Sequence, residues 1–549
     1  MAVWQPPEEA APAPEAEPTA TDKEYIVSLK AGVDYDAFWD QIENISADDG
    51  FVPTRRVDIV NERPGSLRSC HYSLTDEEAA QLATDPRVFS VEIPPQQRDD
   101  IEIIRNATQT GTWTKDSTIR STDVNWGLVR AAYNEDKWAG STSITETFPY
   151  TLTGKGVDVV IQDSGITLGH PEFTDANGNS RIVQLDWYAA SGLAGTQNAN
   201  HYRDYHGHGS HCAGTVAGRT QGWARDAAIY SVKISGLEGA GDATGISVTD
   251  CFDVIKLWHR NKPVDPKTGY KRPTIVNMSW GYGSSVLTTP SGGTFRGDSW
   301  TYTTSNDAWQ NYGVIPVLGI YRRFNARIGS VDADLEELIA EGVHVCIAAG
   351  NSYYYIAADG DQDWDNSVSA GGTYFYHRGS SPYSTNAFMV GNIDIDYMGG
   401  LENKAESSCT GPGVDIYAPG TQIASVASTD KSGGCDLTDG TEASYATANS
   451  PLNASYKLMK ISGTSMASPN VCGMLACVLE ANPGMTPAAL KTWAHNNATQ
   501  DALYNAGAPD GQWDDQDSIH NGPNRIFHTP FTKTEPLKTN NISIKGSFK

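Results

Sequence analysis

Strands alternating with helices along most of the chain predict an α/β protein, with a largely parallel sheet covered on both faces and a small α+β unit in front of it. Three observations carry this. Gly156–Gln162 and Val343–Ala348 are continuous apolar runs of strand length, as in strands buried on both faces. Val248, Cys251, Phe252, Ile255 and Trp258 fall on one face of a helix between such runs. Residues 24–95 carry a β-α-β-β-α-β pattern of their own.

In chain order, the small unit has strands near Tyr25–Leu29, Arg56–Val60, Cys70–Leu74 and Val88–Ile93, and Thr75-Asp76-Glu77-Glu78 supplies a capping box for its second helix. Residues 96–121 are polar, with few core candidates, and read as a linker. A second unit starts near Val124-Asn125-Trp126-Gly127-Leu128. Its strand Gly156–Gln162 ends at Asp163-Ser164-Gly165, which brings a carboxylate to the strand's carboxyl end, where open α/β sheets gather ligand and catalytic groups. Ile229–Ile234 and Thr274–Ser279 are further strands. Ser330–Glu341 is a helix stopped by Gly342 and followed by the strand Val343–Ala348. From Met466 the apolar positions Val471, Cys472, Leu475, Val478 and Leu479 recur at helical spacing until Asn482-Pro483-Gly484. The expected division is a flexible acidic lead over 1–22, the small unit over 23–97, a linker over 98–123, the larger unit over 124–530 and a polar tail over 531–549.

Composition narrows the function. The 549 residues exceed one ordinary domain, and 39% hydrophobic with 19% charged residues fits a globular protein with a sizeable core. A net charge of −26 disfavours nucleic acid or an anionic membrane as the main partner. No run approaches the ~18 apolar residues of a membrane span. The first residues lack the basic start and apolar core of a secretory signal. Of the eight cysteines, Cys212, Cys346, Cys472 and Cys477 lie in apolar elements and read as buried thiols, while Cys409 and Cys435 lie in Gly/Ser-rich loops and could pair.

Two stretches carry chemistry. Ile461-Ser462-Gly463-Thr464-Ser465-Met466 delivers a serine to the start of an apolar helix, whose unpaired N–H groups and partial positive charge suit an oxygen that becomes anionic. Ser465 is either a nucleophile or a helix cap. Residues 205–218 crowd histidines. His206, His208 and His211 could hold a metal, although nothing resembling HExxH accompanies them. Alternatively one imidazole activates Ser465 while Asp163 fixes its tautomer.

DSGI at Asp163–Ile166, HGSHCAGTVAG at His208–Gly218, AAGN at Ala348–Asn351 and GTSMASP at Gly463–Pro469 together resemble the subtilisin-like serine proteases, in the order Asp, His, Ser. Gly207–Val216, followed by Arg219-Thr220, looks closest to the proteinase K branch, and Cys212 fills the place of that branch's free cysteine. The resemblance implies a three-layer α/β catalytic domain behind a ferredoxin-like inhibitory pro-domain. It makes Asp163 the orienting carboxylate, His208 the general base and acid, Ser465 the nucleophile and Asn351 the oxyanion donor. It also implies that Leu237, Glu238, Gly239, Ala240 and Gly241, together with Ser279, Trp280 and Gly281, are edge segments pairing with an extended polypeptide substrate. The expected protein is a serine endopeptidase made as a self-processing zymogen, inhibited by its own pro-domain and needing no cofactor for the chemistry. Structural Ca²⁺ is an option, and the alternate carboxylates of Asp359, Asp361, Asp363 and Asp365 are the candidate loop. Relatives act mostly outside cells, which suggests an extracellular place although no signal peptide is visible. Trp280, Tyr282 and Asn470 depart from the family pattern, and residues 284–329 look inserted. The rival readings are a metallohydrolase using His206, His208 and His211, and a catalytically silent structural protein on the same fold.

Overall fold

A computed structural model describes residues 22–44, 50–98, 102–105, 125–136, 150, 152–238, 243–315, 322–398, 400–431, 441–444, 456–506 and 517–528. The chain divides after Arg98 into two compact units. The first contains β1 (Lys23–Leu29), α1 (Tyr35–Glu43), β2 (Ile59–Asn61), β3 (Ser69–Leu74), α2 (Asp76–Leu82) and β4 (Val88–Glu92). Its sheet has the order β2-β3-β1-β4. The predicted capping box is present: Thr75 Oγ1 accepts from Glu78 N, and the Glu78 carboxylate accepts from Thr75 N. Val27, Leu29, Phe38, Ile42, Tyr72 and Leu82 are part of its core. The strand expected at Arg56–Val60 is shorter and later, three exposed residues on the sheet edge with a partner on one side only.

The second unit opens with β5 (Glu102–Arg105) and α3 (Trp126–Ala132), followed by β6 (Asp158–Asp163), α4 (Trp187–Ser191), α5 (His208–Ala217), β7 (Ala228–Lys233), α6 (Val248–Arg260) and β8 (Thr274–Met278). The stretch that looked inserted carries short strands and a helix: β9 (Trp280–Val286) is followed by β10 (Gly292–Phe295), β11 (Asp298–Thr301), α7 (Ser305–Tyr312) and β12 (Arg322–Asn325). Next come α8 (Gly329–Ala340), β13 (His344–Ala348), β14 (Ser367–Ser369), β15 (Thr373–Phe375), β16 (Phe388–Met398), β17 (Leu401–Lys404), β18 (Ile416–Pro419), β19 (Ile423–Ala427), β20 (Thr441–Ser444) and β21 (Lys457–Ile461). Last are α9 (Thr464–Ala481), α10 (Pro487–Asn497), β22 (Thr499–Gln500) and β23 (Arg525–Ile526).

The central sheet has the order β22-β23-β18-β16-β13-β8-β6-β7, parallel from β23 to β7, with β17 added antiparallel to β16. Every residue of β6, β8 and β13 is buried, so both faces are covered, as the unbroken apolar runs require. The architecture is a three-layer α/β fold. On one face α9 packs against β8, β13, β16 and β18 and against α5. The two helices approach so closely that a Cβ at Gly473 would lie 2.4 Å from the Val216 carbonyl oxygen. α6 and α8 pack on each other in the other layer. From Thr464 to Leu479 α9 has no exposed residue, which is why its sequence is apolar nearly all round. α3 is anchored by the buried Arg130, whose guanidinium donates twice to Glu402 at 2.6 Å.

Two expectations change here. The linker over 98–123 contains a strand, β5, which pairs antiparallel with β9. In the acidic loop expected as an optional calcium site, Asp363 is buried and pairs with Arg296 at 2.8 Å, the exposed Asp365 pairs with Arg378 at 2.5 Å, and the exposed Asp361 accepts from Ala358 N. With Asp363 and Asp365 committed to arginines, the loop presents two carboxylates, Asp359 and Asp361, to an ion. Cys409 is a buried free thiol, and Cys435 lies outside the described residues.

The interior holds imidazoles that burial keeps neutral. His211, His259 and His377 are pushed down to about 3, and His170, His201 and His344 to about 4. Between their ordinary value near 6.5 and these folded values, the unfolded chain binds protons that the native protein does not. Stability is therefore fully present above about pH 6.5 and is lost as the pH falls, at about 1.4 kcal/mol per pH unit for each such proton. Asp204 and Asp332, pushed up by burial, work in the opposite direction but are outnumbered. The thermal midpoint of the Ser465→Ala protein, chosen to avoid self-digestion, should fall steadily from pH 6.5 to pH 4. A flat calorimetric midpoint across that range would show that these imidazoles accept protons without unfolding.

Candidate active site

Glycines set the first contact. β6 delivers Asp163 to its carboxyl end, and Gly165 turns the chain away with φ +114°, where an added Cβ would meet the Arg203 carbonyl oxygen at 2.6 Å. A Cβ at Gly209 would lie 2.2 Å from the Gly165 carbonyl oxygen, so β6 and the first turn of α5 touch backbone to backbone. That closeness places His208 Nδ1 at 2.8 and 3.0 Å from the Asp163 carboxylate oxygens, with both residues fully buried. The bond fixes the proton on Nδ1 and leaves Nε2 as the basic nitrogen. Asp204 holds the corner from beneath, accepting from Ser164 Oγ at 2.9 Å and from the amides of Gly207 and Ser210 at 2.7 Å.

Ser465 stands in the first turn of α9, after Gly463. Pro469 lies four residues on and has no N–H, so the Ser465 carbonyl has no helical donor. It accepts instead from Ser279 Oγ at 3.0 Å and from Cys212 Sγ at 3.5 Å. Asn351 follows the β13 turn, and its amide oxygen accepts from both the N–H and the hydroxyl of Thr464 at 2.9 Å, which makes the amide nitrogen the donating end. Asp163, His208, Ser465 and Asn351 thus belong to segments tied to one another by hydrogen bonds or close packing. In this state Ser465 Oγ donates to the Ser279 carbonyl at 3.1 Å, while the buried His208 Nε2 has no hydrogen-bond partner among the described residues.

The expected edge segments fare unevenly. Ser279 joins β8 to β9, and Gly281 and Trp280 pair across β9 with Ile104 and Arg105 of β5. The Trp280 side chain is 1% exposed and donates to Gln162, so it packs in the core. Leu237 is buried, and the Glu238 carboxylate pairs with Lys233 Nζ at 2.6 Å and accepts from His206 N. Gly239, Ala240 and Gly241 lie outside the described residues. The three histidines do not converge: His206 Nδ1 accepts from His208 N, His208 faces Asp163, and His211 Nε2 donates toward the carbonyls of Ile423 and Met459. That geometry counts against the metallohydrolase reading. Asn470, one of the departures from the family pattern, joins α9 to the cap of α3, donating to the Pro419 carbonyl and accepting from Asn125.

The Subtilase family model matches residues 154–527. The chain belongs to the subtilase family. It is accordingly a serine endopeptidase. The extracellular serine proteinase of Thermus sp. (strain Rt41A) is 25% identical over 467 residues, 85% of this chain and 76% of that one. The cuticle-degrading protease of Metarhizium anisopliae is 28% identical over 503 residues, 91% and 89% of the two chains. Among solved structures, fervidolysin from Fervidobacterium pennivorans is 18% identical with a TM-score of 0.48, covering 94% of this subtilase and 62% of that chain.

Cys212 lies within this subtilase's buried cluster, its sulfur 3.9 Å from His208 Nδ1. Burial, with the nearby Asp163 charge, keeps it a neutral thiol. A soft mercurial that reaches this sulfur must displace the imidazole. Organomercurials should therefore inhibit the enzyme, and Cys212→Ala should stay active and resist them. Equal inhibition of parent and variant, titrated on one peptide substrate, would assign the effect to another cysteine.

Proposed function

We propose that Asp163, His208 and Ser465 are the triad of this endopeptidase and that Asn351 is its oxyanion donor. The observation that supports this most is the fully buried Asp163–His208 bond, which leaves an unpartnered Nε2 at the site where α9 begins. A peptide lying on β9 offers an N–H to the Ser279 carbonyl, displaces Ser465 Oγ from it and frees that hydroxyl to turn toward Nε2. As Oγ bonds to the scissile carbon, its proton passes to Nε2, and the carbonyl oxygen becomes an oxyanion beside the amide of Asn351 and the N–H of Ser465. The C–N bond then breaks, and His208 returns the proton to the leaving amine. Water repeats the cycle on the acyl-enzyme. Subtilases need no cofactor for this chemistry. Polypeptides are the substrates, and among the described residues no helix is long and apolar enough to cross a membrane. An extracellular place of action agrees with the Thermus relative's description.

Replacing Asn351 by Leu removes the donor at similar volume. Removal of such a donor, measured in a subtilisin, costs about 10²–10³ in turnover. A kcat lower by that factor with KM little changed is expected. Loss confined to KM, measured with counted active sites, would make Asn351 a binding residue.

We further propose that the first unit is the inhibitory pro-domain, and that β5 is its tail lying on β9 as a substrate does. Arg105 pairs with Trp280, whose neighbour Ser279 accepts from Ser465 Oγ through its carbonyl, so the proposed cleavage point is one residue past Arg105 in the sequence. Self-cleavage is expected at the Asn106–Ala107 bond. Ser465→Ala should accumulate at full length, and N-terminal sequencing of the mature protein should begin at Ala107. Normal maturation of that variant, expressed free of other proteases, would rule out self-processing. A different new terminus would rule out the register.

A further inference from the structure

The two faces of β9 are unlike. Trp280 and Tyr282 point into the core, each 1% exposed, with rings meeting edge-on at 5.7 Å. Gly281 and Gly283 alternate with them and leave the other face without side chains as far as Gly283, with Ser285 beyond. A Cβ at Gly281 would lie 2.6 Å from Ser380 Oγ, so Ser380 stands directly against the bare face. β12 runs antiparallel to β9 and pairs Asn325 with Gly283. Opposite residues of a ladder share a face, which puts the Asn325 side chain on the glycine side. Asn325 Oδ1 accepts from Ser352 Oγ at 2.7 Å, and Ser352 directly follows Asn351. Among the described residues Asn325 Nδ2 reaches only the sulfur of Cys409, at 3.8 Å, a weak acceptor.

We infer that Asn325, Ser352 and Ser380 line the pocket for the substrate residue that supplies the scissile carbonyl, and that they select a small uncharged hydrogen-bonding side chain, asparagine foremost. The inference rests on the proposed roles of Ser465 and β9. A chain in the register of β5 puts that residue opposite Ser279, on the face that Ser279 shares with Gly281 and Gly283. A side-chain amide there accepts from Asn325 Nδ2 and donates to the serine hydroxyls. A large apolar side chain would leave buried polar groups without partners, and a site built to hydrogen-bond rejects a ligand that lacks the group. Asn325 comes from the stretch that looked inserted, so the selectivity belongs to this chain's own elaboration.

The test uses autoprocessed enzyme from the full chain, with active sites counted by a fluorophosphonate. Peptides differ only in the residue before the scissile bond: Asn, Ser, Leu or Phe. The expected kcat/KM for Asn exceeds those for Leu and Phe by about tenfold or more. Asn325→Leu should lower the Asn value and raise the Leu value, and Ser380→Gly, which deepens the pocket, should raise the Phe value relative to Asn. Ser380→Gly and Asn325→Ala carry the test if Asn325→Leu does not fold. Apolar preference in the parent, or a profile that neither substitution moves, would overturn the inference while casein cleavage and labelling of Ser465 uphold the triad. Absence of both labelling and cleavage in the folded parent would overturn both.

Discussion

The structure depends on a helix whose N-terminus is buried. α9 is buried from Thr464 to Leu479, so the polar groups of its first turn are shielded from bulk solvent. Buried backbone groups must find partners inside the protein. Here the partners come from the ends of separate strands: Asn351 beyond β13 takes both donors of Thr464, while Ser279 beyond β8 and Cys212 on α5 donate to the Ser465 carbonyl. Satisfying the helix thereby collects at one point the groups proposed for acyl transfer. Pro469 is part of this device, since an ordinary residue there would give the Ser465 carbonyl a helical partner and remove the reason for Ser279 and Cys212 to approach.

The second constraint is close approach. Gly209 against the Gly165 carbonyl, and Gly473 against the Val216 carbonyl, let α5 sit between β6 and α9 with no side chain intervening. Packing of this kind tolerates little displacement. Asp204 adds a buried carboxylate that ties Ser164 to the first turn of α5, which holds the imidazole's supporting shell in place.

The central architecture was legible in the sequence because it is local. The apolar runs of β6, β8 and β13 and the spacing along α9 state their burial directly, and the motifs around Asp163, His208, Asn351 and Ser465 carry glycines and small residues at the close approaches. The boundaries shifted by a residue or two. Other features were not local and stayed hidden. β5 is four residues in a polar stretch, and only its partner β9 makes it a strand. Asn325 reads as an ordinary loop residue until β12 lies down beside β9. The carboxylates of Asp363 and Asp365 suggested an ion because their arginine partners, Arg296 and Arg378, are distant in the chain or differently spaced. Trp280 keeps its place on the β9 edge, opposite Arg105, while the face to which its ring points is decided by the pleat of a strand that the sequence alone does not assign.

β9 is a strand with one edge closed by β12 and the other lent to β5. On the proposal that β5 departs with the pro-domain, that edge can be satisfied only by a chain already extended, since a helix or an inner strand has its own amides engaged. The fate of a target protein then rests on its own mechanics. A frayed terminus docks as it is, whereas a segment that must first open at a cost of about 4 kcal/mol is docked about a thousandfold less often. Such an edge measures the local looseness of other proteins before it reads any of their side chains.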